Sequence, residues 1–549
     1  MVGRYIGGGA LCALIAASCT GDIGDAPPAS SPGDPEVAAI AYAPDPLVVR
    51  LTDVQYGFVL SDVLGVSLTA DERDQLPRDV PAEAHYATNA EGQFFNSQYV
   101  IAYAEIAHSV VARLDPVALR SDFGGCDDAS APCLEAFIRG LGRLLFRRPL
   151  SDDEVTDFGT LAETVAALPE ADADDGVRAV VEALLQSPPF LYRLEDETSG
   201  SLDEIRAVGG YELASRLAFF LWQSAPDDAL LEFAAAVPAS GLVDRDALAT
   251  EVERMMADPR FARSRAAFWS DYTLVSTAPF AFATPEVADD LRASLLTTMD
   301  RLSGVDAEAR PILDMFTTEE LWMTPSVAEL AGAASTKDGL AAYGTDELEQ
   351  RVGITTHPSF LGAIGTTSFV GRGVFMSQRL LCIDIISPPS DEDAFNRIQE
   401  TAAETEELTP REASVFRFNL EPACRGCHQQ FEPIAYAFER YDLEGRYTET
   451  DDDGRDLFSD GRLPSARWMP EIPFEDPEEM LTGLRDTERV GRCLVENMME
   501  YATGYDVGRA RDAIGTAYET FVTPGTFDEL VRAVALNPQV RAQKVVAEP

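Results

Sequence analysis

The chain has 549 residues, enough for about three or four domains at roughly 150 residues each. Its hydrophobic content of 46% supports packed cores and excludes wholesale disorder. With 93 acidic against 43 basic residues, a formal charge of −50, it repels nucleic-acid phosphates and anionic headgroups, which excludes nucleic acid as a partner.

In chain order, "MVGRYIGGGALCALIAASC" places Arg4 before an apolar run from Ile6 to Ala17, too short to span a bilayer and long enough for a signal-peptide core. Ala16, Ala17 and Ser18 before Cys19 resemble a bacterial lipobox, with Ala16 where Leu is usual. Residues 1–19 are therefore expected to be a lipoprotein signal, with Cys19 lipidated as the membrane anchor. The alternative is an ordinary cleaved signal. Residues 20–45, rich in Pro, Gly, Ser and Asp, read as a flexible tether. No aspartate follows Cys19 to resemble an inner-membrane retention signal, so the expected location is the outer membrane or cell surface.

The remainder reads as mainly α, in consecutive modules with minor β hairpins. An N-terminal helical module (46–115) contains "LTDVQYGFVLSDVL", with Val54, Phe58, Leu60 and Val63 near helical spacing. A second (126–195) has a helix that Pro149 stops; Ser151 caps the next, ahead of Asp152, Asp153 and Glu154. A third (201–330) has Leu213, Leu217, Phe220 and Leu221 on one face. The capping residues Ser187, Asp258 and Asn537 each precede a proline after an apolar helix, predicting three helix–corner–helix units. A fourth module (348–470) begins before Pro388-Pro389 and the acidic linker 390–408. Thr409, Pro410 and Glu412 then predict a capped helix over about 410–420. Asp-Gly pairs at 453–454 and 460–461 predict hairpins within 447–475. A last helical module covers 475–545.

Eight cysteines are present. Cys126 and Cys133 frame a short polar loop that a disulfide would close. By parity Cys382 and Cys493 form a second candidate pair, with buried free thiols as the alternative for both. Cys424, Cys427 and His428 form a C-x-x-C-H, expected by chance about one time in a thousand in such a chain. Two thiols three positions apart can add to the vinyl groups of haem, and the adjacent imidazole can bind its iron. Phe431, Ile434, Tyr436, Phe438 and Tyr441 are candidate haem-facing residues or simply a buried stripe. A structural zinc would need a fourth ligand, and a redox dithiol usually follows a strand. One covalent haem c is therefore expected. Arg425 and Arg440 are candidates for its propionates, and His357 and Met469 for a distal iron ligand. The run 449–460 approaches calcium-loop spacing, but Asp456 and Asp460 depart from it, so an acidic turn is expected in place of calcium binding.

Several stretches resemble the multidomain exported proteins of planctomycetes and myxobacteria, built of consecutive domains of unknown function with a cytochrome c-like motif. These are "RLTDVQYGFVLSDVLGV", "LGRLLFRRPLSDDEV", "YELASRLAFFLWQSAPDDALL", "CRGCHQQFEPIAYAFERYDLEGRY" and "VGRCLVENMMEYATGYDVG", in the same order. Gly504-Tyr505 and Glu432-Pro433 depart from the usual Gly-Arg and Asp-Pro. The resemblance implies architecture and haem, and no particular reaction. The functional expectation is electron transfer serving an exported oxidation, with a redox protein as partner. The alternatives are an enzyme acting on cell-surface polymers and a non-haem envelope interaction protein.

Overall fold

The computed structural model describes residues 35–38, 40–43, 48–79, 86–93, 96–195, 204–238, 240–364, 369–385, 400, 402–420 and 422–544. Cys19, the signal and most of the Pro388–Pro389 linker lie outside them. The described chain is mainly helical, with small two-stranded sheets. Among its helices none is long and apolar enough to cross a membrane.

Side chains gather into two large cores. In the first, Tyr56 and Leu60, Tyr103 and Ile106, Phe137 and Leu141, and Val180 and Leu184 meet from the helices Asp53–Leu64, Ser97–Val111, Ala131–Leu145 and Ala173–Gln186. The first two sequence modules thus share one interior. A two-residue antiparallel pair, β1 (Val49–Arg50) with β2 (Tyr192–Arg193), joins its two ends. Capping follows the sequence signals: Thr52 accepts from the Gln55 amide, and Ser151 from the Glu154 amide.

The second core runs from residue 208 to residue 540. Helix Gly210–Trp222 is buried from Leu213 to Trp222, with its one arginine, Arg216, paired to Glu195. Leu213, Leu217 and Phe220 enter the second core, while Phe219 enters the first, so this helix joins the two. The chain's far end returns to it: β3 (Ile205–Ala207) pairs antiparallel with β8 (Ala542–Lys544), and helix Glu488–Thr503 packs on Gly210–Trp222. Between them β4 (Glu320–Met323) pairs with β5 (Ala341–Gly344), a sheet that the sequence pattern does not announce.

Two expectations need correction. Residues 35–38 and 40–43, assigned to the tether, are docked: Val37 and Ala43 are buried against Ala207 and Ala542, and Glu36 pairs with Arg245 and Arg541. Val37, Ile40 and Ala43 at three-residue spacing, with the paired Glu36, hold a segment whose composition reads as linker. Of the three corners, only Asp258 leads to a full helix, and it starts at Phe261. Pro188 and Pro538 begin single turns that pass into β2 and β8, because Arg193 and Arg541 are drawn to distant partners, the Thr503 carbonyl and Glu36.

Both cysteine pairs are disulfides, Cys126–Cys133 and Cys382–Cys493. The second closes a loop of 111 residues and ties the segment after helix Phe369–Phe375 to helix Glu488–Thr503. Closing a loop of that length removes about 4 to 5 kcal/mol of unfolded-state entropy. Replacing Cys382 and Cys493 by alanine is expected to lower the unfolding free energy by about 4 kcal/mol, read from guanidinium titrations. An unchanged midpoint would show that the bond carries no such load.

Candidate functional site

The C-x-x-C-H lies on helix Pro422–Ala435, the motif helix, and its support is helix Pro410–Leu420. The support starts where the sequence predicts: Thr409 and Glu412 exchange side-chain to backbone hydrogen bonds at 3.0 and 3.3 Å. Positions 424, 427, 428 and 431 share one stripe of the motif helix by the i, i+3, i+4, i+7 rule. Positions 431, 434, 435 and 438 make the adjoining buried stripe. Ile434, Phe438 and Tyr441 belong to the second core, while Ala435 and Tyr436 pack with Phe369. Of the candidate haem-facing aromatics, Phe431 alone borders the motif.

Three contacts fix the motif helix. Gly373 lies where a Cβ would come within 2.5 Å of the Phe431 carbonyl, so only glycine lets helix Phe369–Phe375 approach. Arg372, buried beside it, donates to the carbonyls of Phe438, Tyr441 and Asp442 and holds the chain just after the helix. Pro433 has no amide hydrogen, which leaves the Gln429 carbonyl unused within the helix. That carbonyl accepts from Arg462 on β6 (Gly461–Leu463), which pairs with β7 (Ile472–Phe474).

Cys424 is half-buried and Cys427 exposed, and neither is in a disulfide. A Cβ placed on Gly426 would meet nothing within 4 Å, so the space before the motif is open. The His428 ring lies between Phe418, at 5.8 Å between centroids, and Phe431, at 5.0 Å. Its Nδ1 is 2.8 Å from Oε1 of Glu432, which is fully buried. Ser414 of the support donates to that carboxylate, 2.9 and 2.8 Å from its two oxygens. Among the described residues Nε2 of His428 makes no hydrogen bond. Two thiols outside any disulfide, an uncommitted imidazole nitrogen and open space fit covalent haem. Glu432 and Ser414 did not emerge as site residues from sequence, although the i+4 spacing of an acid from His428 was its signal.

The other predicted residues are dispersed. Arg425 is exposed beside the thiols. Arg440 is bound into the following loop, donating to the Leu457 carbonyl and the Tyr447 hydroxyl. His357 is fully buried and caps helix Pro358–Ala363: Nδ1 accepts from the Ser359 amide, and Nε2 lies 3.4 Å from the Trp322 carbonyl. Burial pushes its imidazole down to about 3, so it is neutral, with both nitrogens engaged. Met469 is buried in the second core and bridged to Ala466. Neither is brought to His428. In the acidic run, Arg455 pairs with Asp451 and Asp453, and Arg411 with Asp460. Among the described residues no three His, Cys, Asp or Glu side chains converge on a metal-ion position.

A second feature lies elsewhere. A cleft of about 830 Å³ opens between helices Asp53–Leu64 and Phe261–Thr273, lined by Asp53, Phe58, Arg263, Ser270, Asp271 and Tyr501. Burial and neighbouring Asp79 push the Asp53 carboxyl up to about 6. Burial, with Asp53 and Asp79 adding repulsion, pushes Asp271 up to about 7, although its Oδ2 accepts from the Ala87 amide at 3.2 Å. A raised carboxyl stabilises the fold fully below its unfolded value, and that contribution is lost as pH rises toward 7. Asp271→Asn is therefore expected to gain stability over the parent between pH 4.5 and pH 8, by about 2 kcal/mol after discounting for its partial exposure. Denaturant titrations at the two pH values check this; equal differences at both would contradict it.

Three family models match consecutive stretches of the chain, each described as a protein of unknown function: DUF1595 over residues 133–195, DUF1592 over 208–332 and DUF1588 over 351–451. The motif lies within the third. No curated protein and no solved structure matches the chain.

Proposed function

For this chain of three consecutive domains of unknown function, consistent with the multidomain planctomycete type, we propose that the motif helix carries one covalent c-type haem and that the protein transfers electrons. The observation that carries this reading is the single stripe of Cys424, half-buried, Cys427, exposed, and His428, with Nδ1 of the imidazole engaged and Nε2 making no hydrogen bond among the described residues. The short name of the DUF1588 family, PSCyt3, points the same way. Cys424 and Cys427 hold the group through thioethers and His428 ligates its iron, while Arg425 stands exposed beside them for a propionate. The bound group supplies one-electron chemistry. The chain's own part would be to fix the ligand, packing the His428 ring against Phe418 and Phe431. Export and anchoring through Cys19 belong to the same proposal, and place the protein where covalent haem is attached.

The acidic cleft favours a second reading. Asp53 and Asp271, both raised toward neutrality in a concave site, have the character of general acids, and a substrate bound there would make the protein an enzyme.

Material exported by a host with cytochrome c assembly is expected to show a Soret band, and the double variant Cys424→Ala, Cys427→Ala to be colourless. A colourless parent protein would end the haem reading. Redox titration with and without peroxide separates transfer from peroxidatic chemistry: a reversible couple indifferent to peroxide is the expected result.

A further inference from the structure

Glu432 is a fully buried carboxyl group beside His428. Ser414 donates to the carboxylate, Nδ1 of His428 lies 2.8 Å from its Oε1, and the Tyr436 hydroxyl bonds it as well. Among the described residues no arginine or lysine bonds it. Arg411, on the same support helix, is taken up by Asp460 and by the face of the Tyr436 ring at 4.3 Å. Arg417 donates to the Thr405 hydroxyl. Among the described residues the carboxylate therefore has no cationic side chain competing with the imidazole for it. Phe418 and Phe431 both pack on the imidazole ring, whose Nδ1 faces Glu432.

We propose that Glu432 is a positioning residue for the iron ligand: it holds His428 in the Nδ1–H tautomer, presents Nε2 as a lone-pair donor, and lowers the reduction potential of the haem. This rests on the haem reading above. A carboxylate accepting from a ligand imidazole raises the basicity of that ligand, and a more basic ligand stabilises ferric over ferrous iron. A neutral acceptor in the same place would fix the tautomer without supplying the charge. Ser414 tempers the effect, because its hydroxyl donates to the same carboxylate and withdraws charge from it.

The test uses the full haem-loaded chain and two variants. Glu432→Gln keeps an acceptor for Nδ1 and removes the charge. At the potential where the parent is half reduced, its reduced-to-oxidised ratio is expected to rise about tenfold, a shift of about 59 mV for one electron. Ser414→Ala is expected to shift the midpoint the opposite way, downward, whereas mere loosening of the site would move both variants in one direction. Haem attached in both variants with midpoints equal to the parent's, or shifted alike, overturns the proposal.

A second readout needs no haem. The chain has four histidines, so ring-15N labelling resolves His428 in the unloaded protein. The expected signature is a protonated Nδ1 and a bare Nε2 in the parent; the Nε2–H tautomer overturns the assignment even if Glu432→Gln fails to fold. A parent that takes up no haem but shows the expected tautomer defeats the haem reading and leaves the Glu432–His428 pairing standing, so the two failures are distinguishable.

Discussion

A carboxyl group taken out of water must be met by polar partners, and in this molecule those of Glu432 include side chains from two helices. Ser414 reaches it from the support and His428 from the motif helix itself. That demand fixes the angle at which the two helices meet and sets the imidazole between Phe418 and Phe431. Moving any of these groups would leave a buried charge with a missing partner, which typically costs about 3 to 5 kcal/mol. The corner is therefore specified by polarity as much as by apolar contact. The thiols next to it are left at the surface, Cys427 fully so.

The rest of the fold serves to hold that corner still. Arg372 clasps three carbonyls just past the motif helix, and Gly373 admits the neighbouring helix to van der Waals range of Phe431. From there the Cys382–Cys493 bond and the donation of Asn497 to the Arg379 carbonyl carry the connection to helix Glu488–Thr503. That helix packs on the buried helix Gly210–Trp222, which enters both cores. Elements hundreds of residues apart in sequence thus form one continuous packed path to the candidate site.

Much of this was legible in the sequence where local chemistry decides. The capped starts at Ser151 and Thr409 are hydroxyl-plus-acid signals that act over four residues, and both stand in the structure. The Cys126–Cys133 bond was readable from the short polar loop between them, and Cys382–Cys493 by parity once the signal and motif cysteines are set aside. What sequence could not supply were contacts made across long separations. Nothing local distinguishes Val37 as a buried residue or pairs Ile205 with Lys544. The same holds for Asp53 and Asp271, 218 positions apart by their numbering, whose shared cleft exists only once the helices pack. His357 looked available because histidines are few; folding spent both of its nitrogens on backbone groups.

The account rests on what the sulfurs of Cys424 and Cys427 carry in the exported protein. Mass analysis of the proteolytic peptide that contains both is the most direct measurement. The predicted result is a peptide heavier by one haem, with both sulfurs in thioether linkage. Finding both as free thiols, or joined to each other, would contradict the account and leave a helical protein whose exposed motif holds no iron.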